Sequence, residues 1–191
     1  GDTILRLQNN EWTVFPGQET LQFSEMSFTS TNDGWAVNKD QDLYHFNGIS
    51  WSEETNSNII GALGHLSFSD PDHGIMSSLE MDGDVLYHYD HGNVYQAIPT
   101  ANIQSIYMFD SLSGYAVGCG GWFFMGDGKS RIYKLDKGTW SVDTIVETPL
   151  FSIHGNNDMV WATGASGNIY LKQNEKWQLI NGYTDHSINY M

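Results

Sequence analysis

A short phrase recurs along the chain. "LYHFNGISW" at 43–51 returns as "LYHYDHGNVY" at 86–95, "IYKLDKGTW" at 132–140 and "IYLKQNEKW" at 169–177, with an echo in "ILRLQNNEW" at 4–12. The closing aromatic residues are 39, 44, 45 and 37 residues apart, at Trp12, Trp51, Tyr95, Trp140 and Trp177. Self-similarity at a period of about 40 residues indicates that one supersecondary unit is built several times over.

A second marker precedes each full phrase. "MSFTSTNDGWAV" (26–37) matches "LSFSDPDHGIMS" (66–77) and "YMFDSLSGYAVG" (107–118), and "SIHGNNDMVWATG" (152–164) is a looser fourth copy. Each unit therefore contains four short strands rich in aromatic and β-branched residues, separated by Gly, Asn and Asp turns. Helical periodicity is absent. The sequence predicts an all-β fold, a β-propeller of four-stranded blades, over an all-β sandwich that would not need the repetition.

The repeat also predicts the domain organisation. We expect one domain over 1–191, with blades at about 21–57, 58–100, 101–148 and 149–182 and a fifth blade shared by 1–20 and 183–191. Building one blade from both termini would remove an exposed sheet edge. The second strand of the shared blade is missing from the pattern, so a fragment of a six- to eight-bladed propeller is the alternative.

Composition limits the partners and the compartment. The 8 basic and 23 acidic residues give a net charge of −15, which repels a phosphate backbone and argues against nucleic acid. No apolar run is long enough to cross a bilayer, so we expect no membrane insertion. The single cysteine, Cys119, excludes an internal disulfide. Few lysines and many Trp, Tyr and Asn residues favour an exported bacterial protein, extracellular, periplasmic or at the cell surface, and we expect a monomer.

The second marker resembles a known family. Phe28, Gly34 and "WAV" at 35–37 are similar to the photosystem II stability/assembly factor-like repeats, which are related to the BNR or Asp-box repeats of the sialidase-like superfamily. Phe109 and "GYAVG" at 114–118 fit the same pattern, and Phe68 with Gly74 fits it more weakly. The resemblance covers nearly the whole chain and implies a propeller. Its residues are structural, so it implies little about activity.

The repeat breaks in one place, which makes that place the first site candidate. The third unit carries "CGGWFFMGDGKS", about seven residues longer than the matching turn "NKDQD" of the first unit. Loop variation on a packed scaffold often carries function. We expect Trp122, Phe123 and Phe124 to stack on a sugar ring or to anchor a protein partner. The alternative is a lengthened hairpin whose aromatic residues pack on a blade.

Acidic turns are the second site candidate. Asp40, Asp42, Asp82, Asp84 and Asp127 all fall between the second and third strands of successive units, where a ring of turns could aim carboxylates at a central pocket. Of these we take Asp42, Asp84 and Asp127 as candidate ligand-binding residues. The competing interpretation is that Asp is present for the backbone of the turn. Calcium at these oxygens is a possible cofactor, although no EF-hand spacing occurs.

Known catalytic arrangements are not visible in the sequence. Only two arginines, Arg6 and Arg131, are present, too few for the arginine cluster of a sialidase. The seven histidines form no metal-binding motif, so we expect packing or surface roles for them and no metal site. We therefore predict a non-catalytic binding module for a carbohydrate or a protein partner. A glycoside hydrolase domain or an assembly-factor-like scaffold is the alternative.

Overall fold

The computed structural model describes residues 4–15, 21–55, 58–59, 61–80, 83–99, 102–119 and 128–180. These residues form four four-stranded antiparallel sheets and one two-stranded sheet. In each larger sheet the strands lie in chain order, each paired with the one before it. This is the up-and-down connectivity of a propeller blade.

The strand bounds follow the repeat. The two-stranded sheet contains β1 (Leu5–Gln8) and β2 (Glu11–Val14). The first blade contains β3 (Phe23–Ser30), β4 (Asp33–Asn38), β5 (Leu43–Phe46) and β6 (Trp51–Glu53). The second contains β7 (Ala62–Asp70), β8 (His73–Glu80), β9 (Gly83–Asp90) and β10 (Asn93–Pro99). The third contains β11 (Ile103–Asp110), β12 (Ser113–Cys119), β13 (Ser130–Asp136) and β14 (Thr139–Val146). The fourth contains β15 (Leu150–Gly155), β16 (Met159–Gly164), β17 (Ile169–Gln173) and β18 (Lys176–Leu179), with a 3-10 turn at Ala165–Gly167.

The same polar contact closes the first hairpin of every blade. A side-chain oxygen accepts a hydrogen bond from the backbone N–H two residues later, which fixes the turn without help from the rest of the fold. The donor–acceptor distances are 2.8–3.2 Å, and the accepting residues are Ser30, Asp70, Asp110 and Asn156. The polar residues that the repeat places between the first and second strands therefore stabilise these turns.

The repeated glycine of the second strand is required by close packing. A Cβ on Gly34 would lie 2.7 Å from the ring of Phe28, and one on Gly74 would lie 2.5 Å from the ring of Phe68. In the third blade, a Cβ on Gly114 would lie 2.6 Å from a backbone oxygen. The first strand of each blade is called its inner strand. The "F…GWAV" pattern thus reflects close packing of the inner strand against the glycine of the second strand in the same blade.

The hydrophobic core lies between successive blades. Trp35 and Val37 of the first blade pack in one cluster with Leu66 and Phe68 of the second, and equivalent clusters join the second blade to the third and the third to the fourth. A four-stranded sheet has two apolar faces, and at these three interfaces one blade covers a face of the next. The predicted all-β propeller is confirmed.

The two-stranded sheet occupies the position of a fifth blade. Ile4 and Phe15 flank its strands and pack against the first blade, where Phe15 meets Phe46 edge-on at 5.5 Å. Trp12 on β2 corresponds to the closing aromatic of the other units. The described residues therefore form four complete blades and part of a fifth, consistent with a propeller of about five blades. The strand predicted to complete the fifth blade, at 183–191, lies outside the described residues, so closure of the ring there stays a prediction. Within the described ranges, no helix has the length and apolar character to cross a bilayer.

Candidate functional site

The first strands of the four complete blades surround a central cavity of about 1230 Å³. β3, β7, β11 and β15 each line it, and the β4–β5 turn reaches it through Asn38, Lys39 and Gln41. A first strand is the edge of its sheet, so its outer backbone groups would otherwise be unpaired. The cavity is the place where the four edges converge.

Serine side chains of one inner strand form hydrogen bonds with backbone N–H groups of the inner strand in the next blade. Ser27 Oγ accepts a hydrogen bond from the N–H of Phe68, and Ser67 Oγ accepts one from the N–H of Met108, both at 3.0 Å. Ser105 Oγ accepts the N–H of Ile153 at 3.3 Å. These edge amides are therefore occupied by the neighbouring blade. A ligand that added a strand to one of these edges would have to displace such a bond.

Two side-chain pairs of the cavity lining lie on different blades. Glu25 Oε2 lies 2.7 Å from Nδ1 of His65, and its other oxygen accepts the N–H of Leu66 at 3.3 Å. On the third and fourth blades, the ring of Tyr107 lies 4.1 Å from the ring of His154, which is exposed. The site thus offers one hydrogen-bonded carboxylate–histidine pair and one aromatic pair whose His154 is exposed.

Among the described residues that line the cavity, Glu25 is the one carboxylate. A glycosidase of the usual kind needs two carboxyl groups facing each other across a sugar. The described lining supplies half of that arrangement, and its carboxylate is engaged with His65.

Asp84 lies at the start of β9 and is only 5% exposed. Its carboxylate accepts a hydrogen bond from the N–H of Ile103, the first residue of the next inner strand. Ser130 occupies the same register position in the third blade, and its Oγ accepts the N–H of Leu150 at 2.9 Å. Burial raises the pKa of Asp84 above its ordinary value, and the hydrogen bond from Ile103 and the charge of nearby His65 oppose that shift. The contacts of Asp84 join blades; a ligand-binding role for it stays a prediction.

Asp42 lies just before β5 and is exposed. Its backbone N–H donates to Oδ1 of Asn38 at 2.8 Å, and its carboxylate accepts from Nδ2 of Asn38 at 3.2 Å. Asp42 therefore stabilises its own turn, and the structure does not bring its carboxylate together with that of Asp84 in the cavity lining.

The remaining candidates, Trp122, Phe123, Phe124 and Asp127, lie outside the described residues. Their proposed roles stay predictions.

Two histidines come together that the sequence did not connect. The rings of His73 and His91 lie 4.8 Å apart, at the ends of two hairpins of the second blade. The signal was present in "DPDHG" at 70–74 and "DHG" at 90–92, each placed at a turn. Packing or surface roles were expected for the histidines, and this contact between two of them was not predicted. By contrast, His45 and His88 occupy equivalent strand positions, as the repeat predicts.

Radial blades, apolar faces buried between them and a polar central cavity define the class: this chain is a β-propeller. No protein-family model matches the sequence, and no curated protein does. Its solved structural neighbours are propellers. YCF48 bound to a D1 peptide is 16% identical, with a TM-score of 0.62, and the match covers 89% of this chain and 58% of that one. YCF48 from Cyanidioschyzon merolae is 14% identical, with a TM-score of 0.59 and coverage of 92% and 65%.

A computationally designed protein, Ika8, is equally similar, at 13% identity and a TM-score of 0.63, with coverage of 89% and 50%. The chain thus spans about half to two thirds of the length of these structures. YCF48 is a photosystem II assembly factor, so the resemblance seen in the sequence is confirmed at the level of the fold. At these identities the similarity establishes the fold and carries no residue roles.

Proposed function

We propose that this propeller is a non-catalytic interaction module that binds an extended segment of a protein partner at its central cavity. The observation that carries the proposal is the cavity itself, about 1230 Å³ in volume and lined by four inner strands with polar and aromatic side chains. The YCF48 structure with a D1 peptide supports it, because a propeller of similar fold is seen there with a peptide ligand.

The lining indicates how a segment would be held. Gln104 and Ser152 offer neutral hydrogen-bonding groups, His154 and Tyr107 offer a stacking surface, and Glu25 offers a negative charge. With a net charge of −15 on the protein, a neutral or basic segment would be favoured over an acidic one. We expect its affinity to fall as salt is raised.

A carbohydrate is the second candidate ligand. It rests on the aromatic run "WFFM" at 122–125, which interrupts the repeat. A glycan array with the wild type and with Trp122→Ala tests this candidate. Binding that depends on Trp122 would support it, and an array without signal above background would contradict it. Export from a bacterial cell remains part of the proposal, resting on composition alone.

A displayed random-peptide library, selected against the full chain, tests the protein-segment proposal. Enriched peptides are then titrated by fluorescence anisotropy against the wild type and a double variant, Gln104→Ala with His154→Ala. Both residues are at least partly exposed, so their removal should leave the fold intact. We expect at least tenfold weaker binding to the double variant.

Tyr95→Ala is the matched control, since Tyr95 is 50% exposed on an outer strand away from the cavity. Its affinity for the enriched peptides should equal that of the wild type. Peptides that bind the double variant as tightly as the wild type, or a library that yields none, would contradict the proposal.

A further inference from the structure

Two hairpin turns of the second blade bring five titratable side chains into one cluster. The β7–β8 turn carries Asp70, Asp72 and His73, and the β9–β10 turn carries Asp90 and His91. The two imidazole rings are perpendicular, with centroids 4.8 Å apart. One nitrogen of each imidazole and one oxygen of Asp90 all lie within 4.8 Å of one another.

The hydrogen bonds in this cluster fix which ring nitrogens are available. Nδ1 of His73 lies 2.7 Å from Oδ1 of Asp70, so the ring proton belongs between them. In a neutral ring, Nε2 of His73 then carries a lone pair and faces a carboxylate oxygen of Asp90 at 3.5 Å. A metal ion held by Nε2 of His73 and by Asp90 would lie between these two atoms.

The second imidazole repeats the arrangement. Nδ1 of His91 lies 2.6 Å from Oδ1 of Asp90, and its Nε2 faces Oδ2 of Asp72 at 3.9 Å. Three carboxylates lie beside the two imidazoles, so the cluster is rich in groups that can bind a cation. No lysine or arginine forms an ion pair with these carboxylates among the described residues.

We propose that the two turns form a binding site for a divalent transition-metal ion of the zinc class, with His73, His91 and Asp90 as ligands and Asp72 within reach as a fourth. Asp70 is a positioning residue: it holds the His73 ring through Nδ1, as a carboxylate behind a metal-binding histidine commonly does. The site is independent of the proposed peptide binding, because none of these residues lines the central cavity.

The distances suit a small ion. Tetrahedral zinc, with bonds of 2.0–2.2 Å, places neighbouring ligand atoms about 3.3 Å apart. The 3.5 Å between Nε2 of His73 and Asp90 is close to this value, and the exposed side chain of His91 has freedom to adjust. Imidazole nitrogen selects zinc, copper or nickel over calcium and magnesium, which require six or more oxygen ligands or keep their water.

The third blade supplies a natural control, because it has the same turns without the imidazoles. Asp110 and Asp136 correspond to Asp70 and Asp90, and Ser113 and Lys137 take the places of His73 and His91. Lys137 and His91 also share the left-handed backbone conformation, with φ of 51° and 48°. Exchanging His73→Ser and His91→Lys therefore installs residues that a sister turn already accommodates.

The test is isothermal titration of zinc chloride into the untagged, metal-free full chain, with calcium chloride in parallel. We expect saturable zinc binding with one ion per chain and no calcium binding at the same concentrations. At about a hundredfold excess over Kd, zinc should raise Tm by roughly 5 °C. Imidazole NMR signals of His73 and His91 should shift on titration.

Three variants make the outcome specific. His73→Ser with His91→Lys should abolish zinc binding while keeping the metal-free Tm. Asp70→Ser installs the residue that the first blade has at the equivalent turn position, Ser30. This variant should weaken zinc binding 10- to 100-fold. His45→Gln removes another carboxylate-paired histidine, 2.8 Å from Asp33, and should leave binding unchanged. No saturable zinc binding, zinc binding that survives the double variant, or equal binding of calcium would overturn the proposal.

Discussion

Trp35 of the first blade lies flat against Phe68 of the second, with ring centroids 4.5 Å apart and planes only 7° from parallel. Trp35 is 1% exposed and follows the glycine of the repeated motif. An aromatic contact of this kind stabilises the fold by more than the burial of its apolar area alone. The contact between Trp35 and Phe68 indicates that the stability of the propeller arises at the interface between one blade and the next.

Replacing Trp35 tests that source of stability. Trp35→Ala should lower the free energy of unfolding by about 3–5 kcal/mol, because it leaves a cavity between two blades. Urea unfolding followed by circular dichroism measures the change. Trp12→Ala is the control: Trp12 holds a closing position of the same repeat but is 67% exposed, so its loss should cost about 0.5 kcal/mol or less. Equal costs would contradict an interblade core.

The hydrogen bond from Ile103 to Asp84 predicts a graded series. Asp84→Ala should destabilise the protein by about 1–3 kcal/mol, since it leaves a buried N–H without this acceptor. Asp84→Ser copies Ser130 of the third blade and should recover part of the loss. Chemical unfolding of the three proteins at one pH provides the comparison. A serine variant no better than alanine would argue against the bond.

The raised pKa of Asp84 also predicts a pH dependence. A carboxyl group whose folded pKa exceeds its unfolded pKa contributes stability that is fully present below the unfolded value and is lost as pH rises through the folded one. Asp84→Asn keeps an acceptor without the charge. Its stability relative to the wild type should therefore increase as pH is raised from about 4 to 7. If the stability difference between Asp84→Asn and the wild type stays constant or decreases between about pH 4 and 7, burial does not raise the pKa of Asp84.

Lys172 joins the third and fourth blades through a buried ion pair. Its Nζ lies 2.8 Å from Asp143 and 5.2 Å from the centre of the Tyr115 ring, and Lys172 is 4% exposed. Lys172→Met should cost about 3 kcal/mol, because it leaves a largely buried carboxylate without its cation. The matched control is Lys134→Met, which breaks a pair with the 77%-exposed Glu175 and should cost under about 1 kcal/mol. Similar losses of unfolding free energy for both variants would count against this account.

The sequence predicted the fold because its signals are local and repeated. The closing aromatics Trp51, Trp140 and Trp177 all fall on fourth strands, and the motif glycines Gly34 and Gly74 lie where a Cβ would strike an aromatic ring. Such residues are fixed by contacts within one unit or with the next. Repetition makes them visible in a single sequence.

The candidate site was harder to predict for a physical reason. His73 and His91 meet because two hairpins of one blade end on the same side, which depends on strand register. The partners Glu25 and His65 lie 40 residues apart and belong to different blades. Contacts of this kind do not repeat, so a search for similar units passes over them.

Mapping the contact sites of a bound peptide shows whether the peptide lies in the central cavity. A peptide selected against the full chain is made with a photoreactive residue, cross-linked to the protein and located by mass spectrometry. Binding in the central cavity predicts attachment to the inner strands, at 23–30, 62–70, 103–110 or 150–155. Attachment confined to outer strands such as 139–146 and 176–179 would contradict binding in the central cavity.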